Sequence, residues 1–407
     1  MKNKTKSLLL GSATMLMWAA CTPTETGVDP TAALKKNVVS NYCDVVYASY
    51  EDAHMKAVEL QTAINTMVAT PNATTFDAAK AAWKAAREPY GQTEVYRFYD
   101  GPIDDANGPE GALNAWPLDE NYIDYTLDQG GSVAQTGIIN DATNYPSITA
   151  AVLAGANEQG GEKNISIGYH AIEFLLWGQD HVDVNVNPGQ GGDRTFMDYT
   201  NTVANYDRRG QYIKACADLI VTDLAALKAE WATGGAYRTT FLGLTTNQAL
   251  TKLLTGIGIL SKAELAGERM FVALEANAVD NPQEDEHSCF ADNTHRDIIT
   301  NAMGISNVLK GTYTTSGGST VGNTAYSVLT LVAAVNATVS TELTAQNVTV
   351  MTKVNAIPTP FDKTVTEENT ADNGPVYQAV KSLQTQGDKI AEAATALGLT
   401  ISTELPD

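Results

Sequence analysis

Gly168-Tyr169-His170-Ala171-Ile172-Glu173-Phe174-Leu175-Leu176-Trp177-Gly178-Gln179-Asp180 sets a histidine and a glutamate three residues apart in an otherwise apolar run. On a helix that spacing puts both side chains on one face, a turn apart, as inward-facing metal ligands of helical bundles are spaced. Ile172, Phe174, Leu175, Leu176 and Trp177 are the neighbours expected of a buried helix, and an ionisable pair placed among them needs partners. Two readings fit: ligands of one metal ion, or a core histidine hydrogen-bonded to its neighbour.

Outward from this segment, apolar residues recur at helical spacing through most of the 407 residues, as in Leu34, Val38, Tyr42, Val45 and Val46, then Leu60, Ile64 and Met67. Asn72 to Thr75 reads as an N-cap opening a helix that runs past Trp83 towards Arg87 and Pro89. Further helices are expected over residues 195–231, opening with Thr195 and Asp198 in capping-box spacing, and over 245–279, 294–309, 323–343 and 374–397. Strand-like alternation is sparse and no βαβ rhythm occurs. The expected class is all-α: two helical bundles, residues 31–233 and 234–407, related by duplication, with the motif helix at their interface. Two long non-periodic stretches, residues 101–131 and 179–194, are of a length that in a compact protein is functional or disordered.

A second concentration of chemistry is Glu284-Asp285-Glu286-His287-Ser288-Cys289-Phe290-Ala291-Asp292-Asn293-Thr294-His295-Arg296-Asp297. Two histidines, several carboxylates and a thiol there can supply donors to a divalent or ferric ion, or form an acidic loop and a helix cap. A third is residues 86–105, where Glu94 and Arg97 stand one turn apart and Asp104 and Asp105 open the first long loop. Paired carboxylates there suit metal or acid–base work, or a surface ion pair plus a turn.

The first twenty residues read as an export signal: Lys2, Lys4 and Lys6, then an apolar run from Leu8 to Ala20 too short for a stable membrane span. Trp18-Ala19-Ala20-Cys21 is similar to a lipobox, with Trp18 where Leu is usual, so Cys21 is the expected acylation site and residues 21–30 a tether. Cys43, Cys216 and Cys289 then allow at most one internal disulfide. The formal charge of −21 excludes a nucleic-acid partner and disfavours adhesion to an anionic membrane surface, leaving the lipid anchor as the membrane contact.

Gly168-x-His170-x-x-Glu173 resembles the Gly-x-His-x-x-Glu motif of the imelysin-like family. Residues 97–104, with Gly101-Pro102-Ile103-Asp104, the Asn114-Ala115-Trp116-Pro117-Leu118-Asp119 segment and the Glu286-His287-Ser288-Cys289-Phe290 run also resemble that family, in order, across about residues 38–397. The resemblance implies two helical bundles with the motif helix at their seam, a bacterial envelope location and a link to iron. It equally implies a metallopeptidase, the activity for which the family was named.

A zinc peptidase of the familiar helical kind carries Glu directly after the first His, where this chain has Ala171. The expectation is therefore an envelope lipoprotein that binds iron or an iron-bearing ligand at an inter-domain cleft and assists uptake, in partnership with an envelope iron transporter. His170 and Glu173 are the expected metal ligands. Arg87, Glu94, Arg97, Asp104, Arg269, Asp285 and His287 are expected around the ligand, the arginines balancing charge or holding an anionic chelate. Iron is favoured over zinc or another divalent metal, and haem has no Cys-x-x-Cys-His attachment motif. A metal-dependent peptidase and a non-catalytic interaction protein are the alternatives.

Overall fold

The computed structural model describes residues 29–127, 131–181, 187, 189–276, 286–368 and 373–406. Cys21 and Asp285 lie outside them. Eight helices of ten or more residues carry the all-α architecture among the described residues: α1 (Ala32–Ala69), α2 (Ala73–Thr93), α3 (Gly168–Trp177), α4 (Tyr206–Trp231), α5 (Thr246–Ile259), α6 (Thr294–Lys310), α7 (Ala337–Asn355) and α8 (Pro375–Ala396).

Their ends follow local chemistry. Asn72 opens α2 through a reciprocal cap with Thr75, and Thr245 opens α5 through one with Gln248, so backbone donors at each N-terminus are satisfied within the chain. α3 is framed by two glycines with positive φ. At Gly168 a Cβ would meet the Ala112 and Leu113 carbonyl oxygens at 2.8 Å, and at Gly178 it would press on Arg194. Only glycine lets the backbone turn and pass this closely.

α1 packs along α2 and α4, while α7 and α8 pack together and against the end of the α5 column; α2 lies on α6 and α1 touches α5. One continuous apolar cluster runs through both halves, from Val38 and Trp83 to Leu383 and Ile390. Two short antiparallel hairpins, Thr126–Leu127 with Val133–Ala134 and Thr312–Thr314 with Thr320–Gly322, are the strands of the described residues.

Three expected helices are broken. Over residues 195–231, Thr195 caps only a short 3-10 turn, Phe196–Tyr199, and α4 begins afresh at Tyr206 after a left-handed Asn205. Residues 323–343 divide at Asn336, whose side chain caps α7 by accepting from the Val339 N–H. The helix expected from residue 245 leaves α geometry at Leu260 and winds as a π-helix to Phe271 before a last α turn, Val272–Ala276. Cys43, Cys216 and Cys289 are buried and form no disulfide. No helix among the described residues is long and apolar enough to cross a membrane.

Candidate functional site

All ten residues of α3 are buried, and its position is fixed by Trp83 of α2, whose indole N–H donates to the Tyr169 carbonyl at 2.9 Å. His170 and Glu173 do lie on one face, but they bond to each other. His170 Nδ1 is 2.8 Å from Glu173 Oε2, both side chains are fully buried, and Glu173 Oε1 accepts from the Ala291 N–H at 3.0 Å. Both carboxyl oxygens are therefore occupied, and Glu173 orients the imidazole instead of sharing a ligand position with it. Burial pushes the Glu173 carboxyl well above its usual range; burial, with nearby His287 and Arg87, pushes the imidazole well below its own. In both groups desolvation works against the charged form. His170 Nε2 is buried and has no hydrogen-bond partner.

The imidazole of His287 meets the His170 ring edge to face at 4.7 Å between centroids. It is held by Asp297, whose Oδ2 lies 3.3 Å from Nδ1 and also accepts from the Ser288 hydroxyl. The other Asp297 oxygen takes Arg87 Nε at 3.2 Å and Nη2 at 3.0 Å. Although burial opposes ionisation, Arg87 keeps the Asp297 carboxyl far below the ordinary carboxylate range. Burial and the Arg269 charge depress His287 to about 4, so its ring is neutral at pH 7. With Nδ1–H directed at Asp297, His287 Nε2 faces Asn114 Nδ2 at 3.4 Å, and Arg87 Nη1 donates to Asn114 Oδ1 at 2.5 Å.

A lattice of arginines and glutamates adjoins this cluster. Glu94 is buried and accepts from Arg269 Nη2 at 2.7 Å and Arg97 Nη1 at 2.9 Å; against the cost of burial these two charges hold it down to about 2. Arg97 also pairs with Glu110 at 3.2 Å, while Arg269 reaches Glu264 and donates to Asn301 Oδ1 at 2.8 Å. Beside it opens a cleft of about 520 Å³ lined by Arg97, Arg269, Lys163, His287, Asn114 and Trp116 with Glu110, Glu158, Glu162, Glu264 and Glu268. Trp116 lies over His170, ring centroids 5.0 Å apart, and edges against Phe290 at 5.7 Å.

Of the residues expected from sequence, His170, Glu173, Arg87, Glu94, Arg97, Arg269 and His287 form one contiguous network drawn from α2, the 3-10 turn Glu94–Tyr96 that follows it, α3, the π-helix and two loops. Asp104 does not join it. Its carboxylate accepts from the Phe98 and Gly101 N–H groups and holds a turn in which Phe98 and Asp100 have positive φ. All three arginines pair with carboxylates, Arg87 with Asp297 and Arg97 and Arg269 with Glu94, Glu110 or Glu264, while Arg97 Nε is buried without a hydrogen-bond partner. Asn114 and Trp116 belong to the family-like segment 114–119 and Asp297 to the donor-rich run 284–297, but none of the three, nor Glu264, was among the residues expected around the ligand. Asp297 stood in plain view ten residues after His287, but nothing in that spacing says the two meet. No group of three or more His, Cys, Asp or Glu side chains among the described residues is arranged to hold an ion.

The model of the family described as Imelysin matches residues 46–390. Iron-regulated protein A of Synechococcus elongatus is 25% identical over 307 residues, which cover 72% of this chain and 68% of that protein. A crystal structure of a candidate iron-regulated protein A precursor from Parabacteroides distasonis superposes with a TM-score of 0.67 at 19% identity, covering 91% of this chain and 97% of the other. An imelysin-like protein from Psychrobacter arcticum 273-4 gives 0.60 at 14% identity, covering 92% and 99%. The two structures share the fold, and the family match spans most of the sequence: the chain belongs to the imelysin family.

Proposed function

We propose that the protein is a lipid-anchored envelope protein that takes up an iron ion at the cleft beside α3 and assists iron uptake, handing its cargo to an envelope transporter. The observation that carries this reading is the partnerless, buried Nε2 of His170, whose ring packs on Trp116 and His287 of a cleft wall that sets five carboxylates against three cations. A buried nitrogen without a partner is costly unless something occupies it, and an acidic mouth draws cations. The name of the Synechococcus relative supports iron over other metals.

His170 Nε2 supplies an imidazole donor, His287 Nε2 and the cleft glutamates lie within the same network, and Glu173 holds the His170 ring in place. Because the arginines are neutralised by carboxylates, the cleft suits a cationic form of iron better than an anionic chelate. The peptidase alternative needs three ligands and a general base, and Glu173, the nearest carboxyl to His170, already has both oxygens engaged.

Anaerobic calorimetric titration with ferrous iron of the parent and of His170→Ala tests the reading. Saturable binding by the parent that falls at least tenfold in the variant supports it. Equal binding by both proteins contradicts it.

A further inference from the structure

His170 does not itself line the cleft. It is 1% exposed, and the two rings it packs on, Trp116 at 5.0 Å and His287 at 4.7 Å between centroids, both do line it. Because Nε2 is buried, a solute in the cleft reaches it only if a neighbouring group moves. The two rings that touch both His170 and the cleft are the groups whose movement would open that way.

They are held very differently. His287 Nδ1 lies 3.3 Å from Asp297 Oδ2 and its Nε2 faces Asn114 Nδ2 at 3.4 Å, and Asn114 is in turn held by Arg87 and Glu94. Trp116 is half-buried and makes no hydrogen bond among the described residues. Ring contacts with His170 and Phe290 are what keep it in place. Phe290 is the fixed side of that contact, 2% exposed and packed on Phe174 at 5.4 Å. Trp83 shows the contrast, since its indole N–H is tied to the Tyr169 carbonyl.

The backbone around Trp116 is equally free. The Asn114 N–H donates to the Glu110 carbonyl at 2.9 Å and the Asp119 N–H to the Lys163 carbonyl at 2.8 Å, whereas residues 115–118 make no backbone hydrogen bond among the described residues. Leu118 is buried, and Ala115, Trp116 and Pro117 all line the cleft. A strap fastened at both ends and unbonded between them has the properties of a segment that opens locally.

We propose that Trp116 is the gate of the His170 site: carried on the strap of residues 115–117, its indole swings off the imidazole into the cleft, exposes Nε2 and closes again. The proposal rests on the reading of the cleft as the binding site. Glu173 holds the His170 ring while the indole moves, so the acceptor nitrogen keeps its direction. Opening breaks two ring contacts and no hydrogen bond, which makes the open form a minor state of roughly 0.1–10% of the population. The consequence is kinetic: a ligand enters and leaves His170 no faster than the strap opens.

The test uses diethyl pyrocarbonate, which acylates free imidazole nitrogens, on the metal-free parent, Trp116→Ala and Trp116→Phe, with the modification rates of His170 and half-buried His54 read by peptide mass spectrometry. Removing the indole should raise the His170 rate roughly tenfold or more, as expected when a minor open state becomes the main one, with His54 unchanged. Trp116→Phe, which keeps an aromatic ring in the packing, should fall between the two, and it carries the test if Trp116→Ala does not fold. Equal His170 rates in the parent and both variants overturn the proposal, as does an equal acceleration of His54, which would report general loosening. Since no iron is present, these rates decide the gate whether or not iron binds: failure of ferrous titration alongside a faster His170 in Trp116→Ala would remove the iron reading and leave the gate standing.

Discussion

Glu264 and Arg269 are five residues apart and form an ion pair, Nη2 to Oε1 at 2.8 Å and Nε to Oε1 at 3.0 Å, because the chain between them winds as a π-helix. In an α-helix residues five apart point about 140° away from each other. The wider turn stacks them on one face, and that face meets Glu94 and Asn301. A π turn inside an α column costs hydrogen-bond geometry and tends to persist at functional sites; here it delivers an arginine and a carboxylate to the cleft wall.

Arg269→Lys should therefore be a damaging change despite keeping the charge. One ammonium cannot reproduce the three-way engagement of Glu94, Glu264 and Asn301. The expected loss is about 1–3 kcal/mol in urea unfolding, and a stability equal to the parent would show that the guanidinium geometry is unimportant.

Arg87 and Asp297 are both buried and paired, and each also holds a histidine or asparagine of the site. Asp297→Ala leaves an unpaired buried cation and should cost about 3–5 kcal/mol. Arg87→Met combined with Asp297→Leu should cost clearly less than the sum of the single changes, as measured by a double-mutant cycle.

Asp292 gives a pH signature. Its carboxyl is raised from the usual value near 3.8 to about 7 by burial and neighbouring acids, so the folded state holds its proton more tightly than the unfolded chain. Its contribution is fully present below about pH 4 and lost as pH rises through 7. In EDTA, Asp292→Asn should melt above the parent at pH 8, and the gain should vanish by pH 4. A gain that does not depend on pH would contradict the assignment.

The proposed envelope location rests on the lipobox-like segment that ends at Cys21. Cys21→Ala should move it from the membrane fraction to the soluble envelope fraction. Membrane recovery equal to the parent's would remove the lipid anchor from the account.

The helices were legible where a cap or a glycine marks an end: Asn72 before α2, Gly168 and Gly178 around α3, Thr245 before α5. They were misread where apolar periodicity continues across a break, as at Asn205 and Asn336, since periodicity reports which face is buried and not whether the backbone stays helical. The π segment is written in the five-residue spacing of Glu264 and Arg269, which carries meaning only once that geometry is known. Within the site, His170 and His287 stood out by residue type. Asn114 and Trp116 did not, because they come from an irregular loop and act through contacts made at long sequence distance. The charge of Asp104 suggested chemistry, and the structure shows its carboxylate accepting from two backbone N–H groups of its own turn.

The central claim is that His170 holds iron at the acidic cleft, and elemental analysis tests it most directly. The protein should be purified without chelator or metal-affinity tag from iron-replete cells, beside a His170→Ala/Glu173→Ala variant whose fold is verified by circular dichroism. Near-stoichiometric iron in the parent and none in the variant is the predicted result. Iron retained equally by the variant, or zinc in place of iron in the parent, would contradict it.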